Sequence, residues 1–401
     1  MFAPAAPQSA RISALQPTAV NRILAEVREL QAQGKTLVSL MRGEPDFPTP
    51  PHIVEACNRA LGNGRTTYPD NRGEKNFRET IVQKLQRDNN LRFDAASEVL
   101  ATTGATFGIY AAMMALLNEG DEVLLPDPIY DAYQSPIRLS GGRVKSVAAQ
   151  IRGGRFVITE EALEEVWSPA SRVLLLNTPW NPAGTVLTRP ELASVTNFCE
   201  RRNLTLVSDE IYEAITYEGS AHVSPLAVAP QLRDRCVIVN SLSKTYAMTG
   251  WRVGYCAGPA ALISAMFLVL QQSSRGPATF IQDAAAEALS GPQECVAQMR
   301  EEYTRRRERV MRELAGIPGV HILPPEGGFF AMADARELRT PSAGIRERLL
   351  REHGVVVVHG AAYGPGGEGT LRVSFASGGD VLANGLQRLR EGLIRISESS
   401  S

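Results

Sequence analysis

Cysteine is scarce in this 401-residue chain: Cys57, Cys199, Cys236, Cys256 and Cys295 are odd in number, far apart and without a C-x-x-C pair. That argues against a disulfide framework or a zinc ribbon and fits a reducing cytoplasm. The five histidines, His52, His222, His321, His353 and His359, never stand at i, i+3 or i+4. Two imidazoles therefore share no helical face, and no metal is expected. Neither sign of charge is in excess, with 42 Lys+Arg against 43 Asp+Glu and a net charge of −1. Nothing offsets a phosphate backbone, so nucleic acid is not an expected partner. Long apolar runs are also missing. The longest, Ala260 to Leu270, already contains Ser264 and is about half of what a bilayer requires, so no membrane partner is expected. Met1 to Ala10 carries no basic segment followed by an apolar core, unlike a signal peptide.

What is present is ordinary for a globular chain: 44% hydrophobic and 21% charged residues, with a length that suggests two or three domains. The first twenty residues, with Pro4, Pro7 and Pro17, read as an irregular arm that belongs against a neighbouring domain or subunit. A helical pattern follows from Val20 to Gln33, ended by Gly34. Seven strand-like runs then alternate with helix-period segments: Val99 to Ala101, Glu122 to Leu125, Val144 to Ala148, Val173 to Leu176, Leu204 to Val207, Val237 to Val239 and Val253 to Cys256. Helical segments such as Ala105 to Leu117, Glu160 to Val166 and Glu191 to Arg202 fill the gaps. The expected class is α/β, a mainly parallel seven-stranded sheet sandwiched by helices. After about residue 285 the pattern changes to a long charged helix, Gln293 to Leu314, strand candidates at Gly327 to Met332, Val355 to Val358 and Leu371 to Phe375, and a closing helix near Asp380 to Ile396. This reads as a smaller α+β domain of residues 291–401 joined by the arm 1–50, around a large domain of residues 51–290.

In an open parallel sheet, ligands gather beyond the carboxyl ends of the strands, so the residues just past each run carry the interest. Lys244, in Ser241-Leu242-Ser243-Lys244, follows Val237 to Val239. Hemmed by apolar residues and close to Arg252, it is placed for a lowered amine pKa and nucleophilic work, although a lone lysine more often sits in water. Asp209 and Tyr212, in Ser208-Asp209-Glu210-Ile211-Tyr212, follow another buried run, where a helix cap is the plainer meaning. Asn181 is presented by the proline-rich turn Asn177 to Thr185, and Gly104-Ala105-Thr106 opens a helix whose free amides suit a phosphate.

Taken in this order, Gly-Ala-Thr, Asn-Pro-x-Gly, Ser-Asp-Glu-x-Tyr, Ser-x-Ser-Lys and Gly250-Trp251-Arg252 resemble the class I/II aminotransferases of the aspartate aminotransferase superfamily, the fold-type I pyridoxal phosphate enzymes. The resemblance runs from Arg42-Gly43-Glu44-Pro45 to Arg372-Val373-Ser374. It implies pyridoxal 5′-phosphate as cofactor, with Lys244 as the Schiff-base lysine that shuttles a proton between substrate Cα and cofactor C4′. Asp209 is implied at the pyridine nitrogen, and Asn181 and Tyr212 at the ring O3′. It places the phosphate on Gly104, Ala105, Thr106, Ser241, Ser243 and Arg252, with Tyr68 donated by a second subunit, and stacks Tyr130 on the ring. Arg372 and Gly43 take the substrate α-carboxylate, Arg372 through its planar fork. The implied partners are an L-amino acid, aspartate-like or of broad range, a 2-oxo acid such as 2-oxoglutarate, and a second copy of the chain in a homodimer with shared sites.

Departures bear on substrate choice. Trp180 and Ala183 replace residues common in relatives, and Thr106 stands where aspartate-specific members carry a lysine. Arg275, in the loop Ser273 to Pro277, is a candidate to supply that charge from the partner. Gly364 to Gly369 matches G-x-G-x-x-G but contains Pro365 and leads into a strand, so it reads as a loop. Ser241 to Lys244 also fits the S-x-x-K of serine acyltransferases, without the Ser-Asp-Asn and Lys-Thr-Gly partners that chemistry needs. A β-lyase or a cyclising synthase uses the same pyridoxal phosphate residues and stays open at this point.

Overall fold

A computed structural model describes residues 9–13 and 15–400. The first eight residues of the expected arm lie outside that range, and its described part includes a short helix, Ala10–Ser13. Thr18 then caps the helix Ala19–Ala32 by accepting from Asn21 N at 3.2 Å, and Gly34 leaves the helix at φ 85°.

The large sheet has seven strands: β1 (Val99–Thr102), β2 (Glu122–Asp127), β3 (Arg143–Ala148), β4 (Ser171–Asn177), β5 (Thr205–Asp209), β6 (Cys236–Ser241) and β7 (Gly254–Ala257), in the spatial order β1-β7-β6-β5-β4-β2-β3. All neighbours run parallel except β7, which is antiparallel to both β6 and β1. The runs lack polar alternation because both faces are covered. Leu174, Leu176, Leu206 and Ile238 face one apolar cluster. Val173, Leu175, Val207, Val237 and Val239 face the other. The central strands are thus buried on both faces, and the polar groups at their carboxyl ends gather along one edge.

A second sheet is wholly antiparallel, ordered β8 (His321–Leu323), β9 (Phe330–Asp334), β11 (Thr370–Ser374) and β10 (Val358–His359). Two strand expectations shift here. The run Val355 to Val358 divides, because Val355 and Val356 pair in parallel with Val38 and Ser39 near the amino terminus, whereas Val358 joins β11. Every valine in it is buried, so its composition hides the change of partner. The strand expected at Gly327 to Met332 starts only at Phe330, because Gly328 turns at φ 70° and a Cβ on Gly327 would lie 2.7 Å from Pro179 Cβ. Among the described residues no helix is long and apolar enough to cross a membrane.

The segment ahead of the large sheet is tied to the small one by a buried arginine. Arg306, on the helix Glu294–Glu313, donates to Asp46 Oδ1 at 2.8 Å, Glu302 Oε1 at 2.8 Å and the Ala376 carbonyl at 2.6 Å. Asp46 also accepts from Gly378 N at 2.8 Å. Truncating one member of such a set strands the others without partners. Arg306→Ala is therefore expected to destabilise the fold by about 3 kcal/mol in urea unfolding, and Asp46→Asn by less, since the amide keeps an acceptor.

Candidate active site

The carboxyl edge of the large sheet delivers its polar residues to one cavity of about 1100 Å³. Asp209 is the last residue of β5 and Asn177 the last of β4, while Lys244 lies in the turn after β6 and Tyr130 just beyond β2. The opposite wall comes from the small sheet and the amino-terminal segment, through Phe330, Arg372 and Gly43.

Asp209 is buried. Its Oδ2 accepts from Tyr133 Oη at 2.6 Å and its Oδ1 from Ile211 N at 3.2 Å. Loss of water still dominates and pushes its pKa up to about 6. The neighbouring turn is pinned to it: Asn177 Nδ2 donates to the Asp209 carbonyl at 3.0 Å, and Asn177 Oδ1 accepts from Asn181 N at 2.7 Å. Asn181 Oδ1 in turn accepts from Arg372 Nη1 at 3.4 Å. Arg372 stacks on Phe330, 4.3 Å from the ring centroid, and donates Nη2 to the Met41 carbonyl at 3.0 Å. Its Nε is buried and has no protein partner. A guanidinium fixed by a ring and two carbonyl-type acceptors in the wall of a cavity suits a bound anion.

Lys244 donates to the Gly43 carbonyl at 2.6 Å, and its Nζ lies 5.9 Å from the Phe329 ring centroid. Burial lowers its pKa to about 8, with Arg252 and Arg372 pushing the same way against Glu44 and Asp209. The neutral, nucleophilic amine is thus present as a minor fraction at neutral pH and predominates above about pH 8. Tyr212 sits edge-on to Phe329 and Phe330, and burial holds its hydroxyl well above the ordinary range. Tyr130 lies edge-on to Tyr133, and burial drives its hydroxyl up to about 12.

At the cavity floor the helix Ala105–Leu116 begins at Gly104, φ 89°, without a side-chain cap. Ala105, Thr106, Ser241, Ser243 and Arg252 surround that end. A Cβ on Gly104 would lie 2.8 Å from Arg252 Nη2, and one on Gly254 would lie 3.1 Å from Ala105 N. Uncapped amides, two hydroxyls and a guanidinium around a space that side chains would fill form a phosphate cradle.

Of the residues expected in the site, two stand outside the cavity of this chain. Gly104 acts through its backbone turn beneath the cradle, and Tyr68 is 87% exposed at the surface. Trp180 is a core residue, edge-on to Phe156 and donating Nε1 to the Pro128 carbonyl at 3.0 Å. Arg275 is exposed at φ 56°. Gly43 offers its carbonyl to Lys244. Ser241 closes a strand and its hydroxyl accepts from Ser243 N at 3.2 Å, a setting unlike the helix-opening nucleophile of the acyltransferase alternative. Tyr133 and the clamp role of Asn177 were not expected from the sequence. The only signal was the spacing of Tyr133 three residues after Tyr130. Behind Asp209, the chain also gathers Glu210, Glu213 and His222, with ligand atoms within 4.8 Å of one another. Lys84 already pairs with Glu213 there, so the group reads as a buried polar brace.

A family model for aminotransferase class I and II matches residues 35–389. The chain belongs to the class I and II aminotransferases. Among its relatives, an aspartate aminotransferase of Geobacillus stearothermophilus is 37% identical over 94% of this chain and 97% of that one. An arginine–pyruvate transaminase of Pseudomonas aeruginosa is 38% identical over 89% and 90%. The solved aspartate aminotransferase of Rhizobium meliloti superposes with a TM-score of 0.93 at 32% identity, covering 97% of this chain and 99% of its own. As a class I/II aminotransferase the protein depends on pyridoxal phosphate, and the cradle, the buried acid and the depressed lysine fit that group.

Two consequences follow for the protein in solution. The rate of cofactor capture by the apoprotein should rise with pH and level off above an inflection near 8, followed by visible absorption, because the neutral Lys244 amine is the reacting form. Asp209 binds its proton more tightly in the folded chain than in the unfolded one, so it lowers apoprotein stability as pH rises from about 4 to about 6. Asp209→Asn keeps the acceptor for Tyr133 and is expected to stabilise the apoprotein at pH 7, on the order of 2 kcal/mol by urea unfolding, while transamination collapses.

Proposed function

We propose that this enzyme moves an amino group between an L-amino acid and a 2-oxo acid such as 2-oxoglutarate, in the cytoplasm, as a homodimer with shared active sites. One observation carries the reading: Lys244, Asp209, Asn181 and Arg372 arise from four separate elements and line a single cavity. We assign residues 51–290 to the cofactor-binding domain and residues 1–50 and 291–401 to the arm and the smaller one.

Bound in this cavity, pyridoxal phosphate supplies an electron sink conjugated with the substrate Cα. The residues of the chain do the rest. Asp209 holds a proton on the ring nitrogen, and the Tyr133 hydroxyl keeps its carboxyl oriented and charged. The cradle at Gly104 anchors the phosphate, with Ser241, Ser243 and Arg252 completing it. Arg372 receives the substrate α-carboxylate on the edge that includes its unpaired Nε, while Asn181 fixes the guanidinium from the side. Tyr130 covers the ring, and Tyr212 donates to the ring O3′. The Lys244 amine, about half neutral at pH 8, would take the proton from the substrate Cα and deliver it to the cofactor C4′. The exposed Tyr68 and the exposed Arg252 support a second copy that brings the phenol to the phosphate.

The reaction class is tested by mixing holoenzyme with single amino acids and no acceptor. Stoichiometric conversion of the bound aldehyde to the amine form is expected. Release of ammonia and pyruvate without that conversion would instead indicate a β-lyase. In Lys244→Ala the visible absorption of the lysine-bound cofactor should vanish and turnover should fall by at least about four orders of magnitude, since one group is both tether and base.

A further inference from the structure

The cofactor and an α-carboxylate engage most of the charged groups that line the cavity, but not all of its acids. On the reading above, Lys244, Arg252, Arg372 and Asp209 are engaged by the cofactor or the substrate backbone. Arg42 and Glu44 pair with each other at 3.4 Å. Two lining acids are left, Asp131 and Asp380. Asp131 follows Tyr130 in the turn Asp131–Tyr133 and accepts from the Thr18 hydroxyl. Thr18 caps the helix Ala19–Ala32, so Asp131 is fixed between two elements. The positive group that acts on it through space is Arg372, which an incoming α-carboxylate neutralises. Asp380 stands in the first turn of the helix Gly379–Ser400 and has no ion-pair partner among the described residues. The buried, unpartnered Nε of Arg372, left for the α-carboxylate, places a substrate in the same cavity as the two acids.

The walls complete the picture. Val20, Leu24 and Leu37 line the cavity along with Asn21 and Asn384, an apolar corridor with hydrogen-bonding groups. At about 1100 Å³ the space is at the top of the range for small-molecule sites. Such a corridor suits a methylene stem that ends in a cation. A distal carboxylate would meet the uncompensated acids Asp131 and Asp380.

Resting on the transaminase reading, we propose that Asp131 and Asp380 select amino donors with a long cationic side chain, of the L-arginine or L-lysine kind. The α-carboxylate is held by Arg372, the stem lies along Val20, Leu24 and Leu37, and the distal guanidinium or ammonium is received by the two acids.

The test uses holoenzyme in the single-turnover half-reaction with L-arginine, L-lysine, L-leucine, L-aspartate and L-glutamate. Arginine or lysine should exceed aspartate and glutamate in kcat/KM by at least about ten-fold, the effect of one modest charge contact. The double variant Asp131→Asn, Asp380→Asn keeps an acceptor for Thr18. It should raise the KM for arginine about ten-fold relative to that for leucine and narrow the gap to aspartate. Aspartate or glutamate as the best donor would overturn the proposal. So would a dicarboxylate preference that disappears in Arg275→Ala, which would show a partner arginine neutralising the acids. An unchanged arginine-to-leucine KM ratio in the double variant would overturn it as well. Failure of every donor to convert the cofactor would overturn the transaminase reading itself, an outcome distinct from conversion with the wrong preference.

Discussion

A carboxylate held at the dry end of a parallel sheet is the constraint on which this site depends. Burial drives the Asp209 pKa up to about 6, and an acid that lost its charge there could not keep a ring nitrogen protonated. The Tyr133 hydroxyl at 2.6 Å and the Ile211 amide oppose that loss. The carbonyl of the same residue accepts from Asn177, which in turn sets the turn carrying Asn181. One residue at the end of one strand thus organises groups from three neighbouring segments. The covered sheet makes this possible, because both its faces are apolar and polar side chains gather at the edge.

The near-zero net charge of the chain and the strongly charged cavity are compatible because the cations act locally. Arg252 stands at the floor beside an uncapped helix, and Arg372 is clamped between Asn181, the Met41 carbonyl and two aromatic rings. Lys244 is kept from full charge by the same burial that strains Asp209, so the site contains an acid shifted up and a base shifted down. Such opposed shifts are the signature of groups readied for proton transfer.

Much of this was legible in the sequence. The seven apolar runs marked the strands, and the residues just past them included Lys244, Asp209 and Asn181, since chain order and strand polarity fix what lies at a carboxyl edge. Arg372 was legible only through its motif, because its strand belongs to another sheet. Tyr133 was legible only as a tyrosine spaced three residues from Tyr130: its partner lies 76 residues away, and its composition is that of a core tyrosine. The antiparallel setting of β7 was equally hidden, as was the split of Val355 to Val358 between two partners, for a strand buried on both faces has the same composition whatever its direction. Trp180, a departure from the motif that was read as bearing on substrate choice, packs in the core against Phe156.

The most direct test of the account is chemical trapping of the cofactor linkage. Borohydride reduction of the holoenzyme followed by peptide mass mapping should place one phosphopyridoxyl group per chain on Lys244. Its recovery on Lys84, Lys145 or any other lysine, or the absence of a stable adduct, would contradict the site described above.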